Sequence, residues 1–378
     1  MPSDYYAGLD NEFRNVKRHI LSYERDGVRL QFYATNVLLY THPRTSQDLT
    51  LIVCHGLAMN PAMYFPTLKY LNQLIVQSGS LLRLRSIWFV EHANHGDSAV
   101  LNEALLKEHF SDRFPLTYYG VGIVTLLDSG LLDPTDPNLI PIGHCGGSGG
   151  VIFAAKMLRD RGTPFRRIVL LEPTLFDLDI EENFKALEQR VRIANRKRPR
   201  VWPTVEDAMA YHRNRVPWKL WDPEVLELMS KTVFWPAPGG GVTQKTTYEQ
   251  ESACFEYKEP LETGQVLLGL VTNTPVHMAL GERPDMWTEE MYASQRRIVA
   301  KMKPSLASFS VIPGAGHYVR PSLILQRAAA IDICTPDRLS KTIQRGVPRS
   351  SSISCNWSMA NASPRQACKQ GYDPAYCQ

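Results

Sequence analysis

The chain has 378 residues, 44% of them hydrophobic and 21% charged, with a formal net charge of +4. That length allows one large domain with an insertion, or two domains, and the balance is that of a soluble globular protein. So small a net charge predicts no nucleic-acid partner, and no apolar run approaches the roughly 18 residues of a membrane span. The seven cysteines include no C-x-x-C pair. They read as reduced, intracellular thiols rather than a disulfide framework or a zinc site. The opening MPSDYYAGLDNEFRN has no basic segment followed by an apolar core, so no signal peptide is expected.

Val28 to Tyr40 is strand-rich and predicts an opening antiparallel hairpin or meander. Leu49 to Cys54 is a continuous β-branched run, suited to a parallel strand buried on both faces. It ends in His55-Gly56-Leu57-Ala58-Met59-Asn60, and Pro61 to Ser78 then reads as a helix. Arg85 to Glu91 is the next strand, closed by His92-Ala93-Asn94-His95-Gly96-Asp97-Ser98. Phe114 to Leu132 is a helix, Leu139 to Ile142 a strand, Val151 to Arg159 a helix and Arg167 to Glu172 a strand. Strands alternating with helices imply an α/β domain built on a mostly parallel sheet. The alternation lapses from about residue 180 to 262, where helices and irregular loops are expected, and resumes with a strand at Thr274 to Leu280. A helix at Met291 to Lys303 and a strand at Ala307 to Ile312 follow. The expected division is a core of residues 1–180 and 263–333, a lid inserted at 181–262, and a disordered tail at 334–378.

Between the third of these strands and its helix lies Gly143-His144-Cys145-Gly146-Gly147-Ser148-Gly149-Gly150. Strand, sharp turn and helix, with a nucleophile flanked by glycine at two residues either side, is the pattern of a nucleophile elbow. Cys145 fits it between Gly143 and Gly147, and Ser148 fits it between Gly146 and Gly150. The strand end favours Cys145, three residues beyond Ile142, over Ser148, six beyond. The loop lacks the G-K-[ST] ending of a phosphate loop.

A nucleophile needs a base, and the base an orienting acid. His317, in Gly314-Ala315-Gly316-His317 after the last strand, is the expected base. Asp285 is the first choice of acid, with Glu172 and Glu282 as alternatives. The backbone N–H groups of Leu57 and Gly146 are the expected oxyanion donors. His55 and His144 would shape the site, His92 and His95 would be turn residues bonding backbone, and His277 a packed strand side chain. A cysteine nucleophile suits thioesters, strained lactones and esters better than amides. Trp202, Trp218, Trp221, Phe234 and Trp235 either line an apolar acyl pocket or pack the insertion. The basic run Arg190 to Arg200 is either a solvated helix face or a docking patch for an anionic carrier such as coenzyme A. No metal or organic cofactor is needed for this chemistry.

The order of His-Gly loop, elbow, insertion, acid after a strand, and Gly-x-Gly-His resembles the α/β-hydrolase superfamily over about residues 25 to 320. Within residues 50 to 105, HGLAMN and NHGDSAVLNE resemble fungal α/β-hydrolases of toxin and secondary-metabolite biosynthesis, such as those of Alternaria host-selective toxin clusters. The resemblance implies the α/β-hydrolase fold and an acyl hydrolase or thioesterase of secondary metabolism acting on a small-molecule acyl substrate. An acyltransferase or a non-catalytic ligand-binding homologue is the alternative. It also bears on the acid: Gly-Glu-Arg-Pro-Asp285 resembles the Gly-x-x-Asp of many members, and some place the acid at the position of Glu172. Two departures stand out. That family usually has Ser where this chain has Cys145, and its members are typically peroxisomal through a C-terminal tripeptide, whereas this chain ends Tyr376-Cys377-Gln378. A cytoplasmic location is therefore expected, with the peroxisome as the alternative.

Overall fold

The structure, a computed structural model, describes residues 15–40, 43–79, 81–255 and 258–317. The expected tail at 334–378 and its cysteines lie outside the described residues.

The chain opens with a hairpin of β1 (Val16–Arg25) and β2 (Val28–Leu38), then β3 (Asp48–Cys54), α1 (Phe65–Gln77) and β4 (Arg83–Val90). Two short helices follow, α2 (Gly96–Leu101) and α3 (Glu103–His109), then α4 (Leu116–Asp128), β5 (Leu139–His144), α5 (Gly146–Asp160) and β6 (Ile168–Leu171). The next stretch carries α6 (Glu181–Arg196), α7 (Val205–Arg213), α8 (Pro223–Thr232), the strand pair β7 (Phe234–Pro236) and β8 (Val242–Gln244), and α9 (Tyr248–Ala253). Then come α10 (Lys258–Leu270), β9 (Val276–Gly281), α11 (Glu289–Met302) and β10 (Ser308–Ile312).

The main sheet has eight strands in the order β1-β2-β4-β3-β5-β6-β9-β10. The pairs β1–β2 and β2–β4 are antiparallel, and all the others are parallel. All seven residues of β3 and all six of β5 are buried, as central strands covered on both faces require. One face packs on α4, α5, α10 and α11 through residues such as Tyr119, Ile123, Val151, Ile152, Leu267 and Ile298. The other packs on α1 and on the inserted stretch, with Phe65, Leu68 and Leu71 sharing a cluster with Trp202, Trp218, Trp221 and Val225.

After β3 the chain moves to β4 on one side; it returns to β5 on the other. Ligands of open parallel sheets bind at such a switch point, beyond the carboxyl ends of the strands. Here those ends carry His55 and Cys145. The short helices α2 and α3 were not legible as helices in the sequence, where His92 to Ser98 read as a turn. Ser98 Oγ and N–H both donate to the buried Glu91 carboxylate, at 2.6 and 2.7 Å, which folds the chain into α2. No helix among the described residues is long and apolar enough to cross a membrane.

Candidate active site

Cys145 stands between β5 and α5 at φ 51°, ψ −123°, a left-handed conformation that ordinary residues avoid at a cost of ~1–3 kcal/mol. The sheet holds it there: its N–H donates to the Leu171 carbonyl at 3.1 Å. The flanking glycines let the crossing elements close on it. A Cβ on Gly143 would sit 2.5 Å from Ser148 Cα, and one on Gly147 would overlap the Cys54 carbonyl.

Ser148, the other elbow candidate, is fully buried within α5, and its hydroxyl donates to the Gly143 carbonyl at 2.9 Å. It does not line the cavity that Cys145 lines. The strand ends at His144, so the serine falls in the first helical turn rather than on the bend.

All three candidate acids meet the loop that carries His317, in three different ways. Glu172 takes the ring, with its Oε2 3.1 Å from His317 Nδ1. Asp285 takes the backbone: its Oδ1 accepts the His317 N–H at 2.7 Å. Glu282 accepts the Gly314 N–H at 2.7 Å and is exposed. The first-ranked Asp285 is therefore corrected as ring partner in favour of Glu172. The physical reason is depth. Glu172 leaves the end of β6 at φ 46°, beside β9, and its other oxygen accepts the Gly281 N–H. Asp285, in the longer loop after β9, reaches only the main chain.

Charge follows this geometry. Burial alone would lower the His317 pKa, but the Cys145 thiolate and then Glu172 reverse that and raise it to about 10. Burial alone would likewise raise the Cys145 thiol. The His317 charge, the Gly146 N–H and the Thr174 hydroxyl outweigh it and bring the thiol below its ordinary value. Both shifts act in the direction of a thiolate–imidazolium pair. Thr174 Oγ1 lies 3.9 Å from Cys145 Sγ. Sequence reasoning passed over it, although it follows Glu172 by two residues in Glu172-Pro173-Thr174.

The two residues expected to supply oxyanion donors, Leu57 and Gly146, are neighbours beside Cys145. The Gly146 N–H acts on the Cys145 sulfur and helps to lower its pKa. A Cβ on Gly146 would lie 2.7 Å from Leu57 Cγ, so the two residues are in contact. His55 aims the second donor. The His92 N–H donates to His55 Nε2 at 3.0 Å, so His55 Nδ1 carries the proton and faces the Gly56 carbonyl at 2.8 Å. In a planar trans peptide the following N–H, that of Leu57, points the opposite way.

His92, His95 and Cys254 bring potential ligand atoms within 4.8 Å of one another. The proton pattern occupies them otherwise. Ala58 N–H donates to His95 Nε2 at 3.0 Å, leaving His95 Nδ1 protonated toward Asn94 Oδ1 at 2.7 Å. Asn94 Nδ2 in turn contacts the Cys254 sulfur at 3.1 Å. His277, expected as a packed strand residue, has its Nδ1 2.9 Å from Ser308 Oγ.

Above Cys145 opens a cavity of about 550 Å³. Leu57, Met59, Leu187, Trp218, Trp221 and Trp287 give it apolar walls. Of the aromatics singled out in the sequence, Trp218 and Trp221 line it, while Trp202 and Phe234 pack in the cluster beneath. Trp287 was missed; it stands two residues past Asp285. Within the basic run, Arg192 pairs with Glu188, Arg198 with Glu251 and Arg200 with Glu249, and Arg190 and Arg198 line the cavity.

Solved structures share this architecture. Peroxisomal α/β-hydrolase Lpx1 from Saccharomyces cerevisiae matches with a TM-score of 0.66 at 16% identity, over 89% of this chain and 92% of that one. The thioesterase domain from the curacin biosynthetic pathway gives 0.54 at 14% identity, over 83% and 97%. The M. tuberculosis esterase Rv0045c gives 0.53 at 13%, over 86% and 96%. This is the α/β-hydrolase fold. No family model and no curated protein matches the sequence. Within this fold Cys145 occupies the elbow, and Glu172 and His317 follow it in chain order.

Proposed function

We propose that this α/β-hydrolase-fold protein is an acyl hydrolase that cleaves ester, lactone or thioester bonds through Cys145, His317 and Glu172. The observation that carries the reading is that Cys145, strained on the elbow, lines one cavity with a buried His317 whose ring is backed by Glu172.

The Cys145 thiolate attacks the carbonyl carbon, forming a C–S bond and pushing the carbonyl electrons onto oxygen. The Leu57 and Gly146 N–H groups face that oxyanion; one such donor is typically worth ~3 kcal/mol. As the oxyanion collapses, the bond to the leaving group breaks and His317 gives it a proton. Water then attacks the thioester, His317 takes its proton, and the thiolate leaves with the acid released. If another nucleophile replaces water, the same steps make an acyltransferase.

In this reading residues 181–262 are the lid over an apolar acyl pocket, and 1–180 with 263–333 the core. The cavity lining also supplies Arg190, Arg198, Lys219 and Arg283 against Glu251 and Asp285. That excess of cations supports a substrate carried on an anionic group, coenzyme A or a carrier-bound thioester. A place in fungal toxin or secondary metabolism rests on the likeness of residues 50 to 105. We assign the protein to the cytoplasm, with the peroxisome as the alternative.

The test is intact-mass labelling with a short-chain N-acetylcysteamine thioester. One acyl group should appear on the wild type, map to Cys145, and turn over to free acid. Cys145→Ala should take none, and Ser148→Ala should behave as the wild type. Acylation that survives in Cys145→Ala, or none in the wild type, refutes the proposal.

A further inference from the structure

His144 lines the cavity beside Cys145, yet no chemical step uses it. Its hydrogen bonds favour one arrangement of protons, Met59 Sδ at 3.4 Å being the weaker acceptor for the Tyr64 hydroxyl. The His317 carbonyl must accept, so His144 Nε2, 3.3 Å away, carries the hydrogen. Burial and the charge on His317 pull the His144 pKa down to about 4, so the ring is neutral and its Nδ1 is bare. Tyr64 Oη, 2.7 Å from that Nδ1, must therefore donate to it. The same Oη accepts the Gly56 N–H at 2.8 Å. The chain runs from Gly56 N–H through the Tyr64 hydroxyl and the His144 ring to the carbonyl of His317. Its two ends are the loop that presents the Leu57 oxyanion donor and the loop that presents the base.

We propose that His144 is a positioning residue: with Tyr64 it is a strut that fixes the oxyanion loop and the His317 loop relative to each other across Cys145. The proposal rests on the acyl-transfer reading of the site. Each loop has further anchors of its own, among them His55 on the Gly56 carbonyl and Asp285 on the His317 N–H. The strut alone joins the two among the hydrogen bonds described above. A misplacement of about 1 Å in such a site costs ~10²-fold in rate.

The experiment compares His144→Leu, His144→Gln and Tyr64→Phe with the wild type. Three readouts are taken: kcat and KM on the N-acetylcysteamine thioester, the pH midpoint of Cys145 alkylation by iodoacetamide, and thermal stability. His144→Leu should lose ~10²-fold in kcat with KM within about threefold, and its alkylation midpoint should rise. His144→Gln can still offer an N–H to the His317 carbonyl and should recover ~10-fold of that loss. Tyr64→Phe should lose less, and the double variant should be no worse than His144→Leu, as residues of one network are not additive. An unchanged alkylation midpoint in His144→Leu, or a Gln variant that folds yet is as slow as Leu, overturns the proposal. If His144→Leu does not fold, Tyr64→Phe decides: kinetics and midpoint equal to the wild type overturn it. The alkylation arm needs no acyl substrate, so the two failures are distinguishable: a wild type that takes no acyl label refutes the functional reading, whereas an unchanged midpoint refutes the strut.

Discussion

Five buried histidines stand at or beyond the carboxyl ends of β3, β4, β5 and β10, and they divide into two regions whose pKa values shift in opposite directions. On one side, in the loops after β3, β4 and β5, burial pushes His55 and His144 down to about 4 and His92 and His95 well below their ordinary value. On the other, after β10, His317 is as deeply buried and rises to about 10. Burial does not separate them; what each ring faces does. The first four meet backbone groups, an amide, a hydroxyl and one another. His317 meets a thiolate on one side and a carboxylate on the other. A desolvated imidazole stays neutral unless an anion stands within hydrogen-bond reach. The neutral group is suited to holding loops and the charged one to moving a proton.

The sharpest way to break this contrast is Glu172→Gln, which keeps the shape and removes one of the anions. His317 should lose part of its elevation, the Cys145 thiol should rise, and kcat should fall by ~10³–10⁴-fold, as for loss of the acid from a catalytic triad. Stopped-flow kinetics on an activated thioester and the pH profile of alkylation measure both. Activity within tenfold of the wild type would show that Glu172 does not set the state of His317.

Asp285 offers a smaller effect of a different kind. Its carboxylate accepts a main-chain N–H, so Asp285→Asn retains an acceptor and should cost only a few-fold in kcat. Asp285→Leu leaves that N–H without its partner, at a stability cost of ~1–3 kcal/mol. Its rate loss should follow the loosened loop rather than a changed pKa, so the alkylation midpoint should move less than in Glu172→Gln. A midpoint that moves more in Asp285→Leu would exchange the two roles.

These two carboxylates also show what the sequence makes legible. The strands were readable because β3, β5 and β6 are unbroken apolar runs, and the elbow because Gly143 and Gly147 answer to steric contacts that residue type alone reveals. The likeness to the superfamily rested on the order of the motifs, which matches the order of strands in the sheet. The choice between Glu172 and Asp285 was not readable. Both follow a strand by one to four residues, and only the packing of β6 against β9 decides which reaches the ring. The same holds for Tyr64 and His144: a tyrosine at the start of a helix and a histidine before a cysteine carry no signal until the fold brings Gly56 and His317 to either side. The helices α2 and α3 were missed because Glu91, a residue outside them, starts the first turn.

The thiol itself gives a milder test. With its pKa below the ordinary value, Cys145 should react with iodoacetamide with a pH midpoint lower than that of an ordinary thiol. Thr174→Val removes one hydroxyl near the sulfur, and should raise the midpoint slightly and slow alkylation at neutral pH a few-fold. Equal profiles would mean that His317 and the Gly146 N–H suffice.

The smallest effect separates the two histidine regions by stability. His55 and His144 take up protons at about 4 in the folded chain, whereas an unfolded histidine does so near ~6.5. Between those values the unfolded chain binds more protons, so stability rises with pH and is lost as pH falls from about 6.5 toward 4. His92 and His95 act in the same direction. His317 acts in the opposite sense: its raised pKa contributes stability that is complete below ~6.5 and is lost as pH rises toward about 10. In the acid window, then, these four groups and His212, which burial also lowers to about 4, lower stability as pH falls, Glu91, which burial raises to about 7, opposes them, and His317 is charged both folded and unfolded and adds no slope. Each of the four contributes on the order of 1 kcal/mol per pH unit once well below ~6.5. Denaturant midpoints should therefore drop between pH 7 and pH 5. Combining Cys145→Ala with Glu172→Gln removes both anions from His317 and turns it into a further buried neutral histidine. The drop should then be steeper than in the wild type. A slope unchanged in the double variant would show that His317 was never charged in the folded chain.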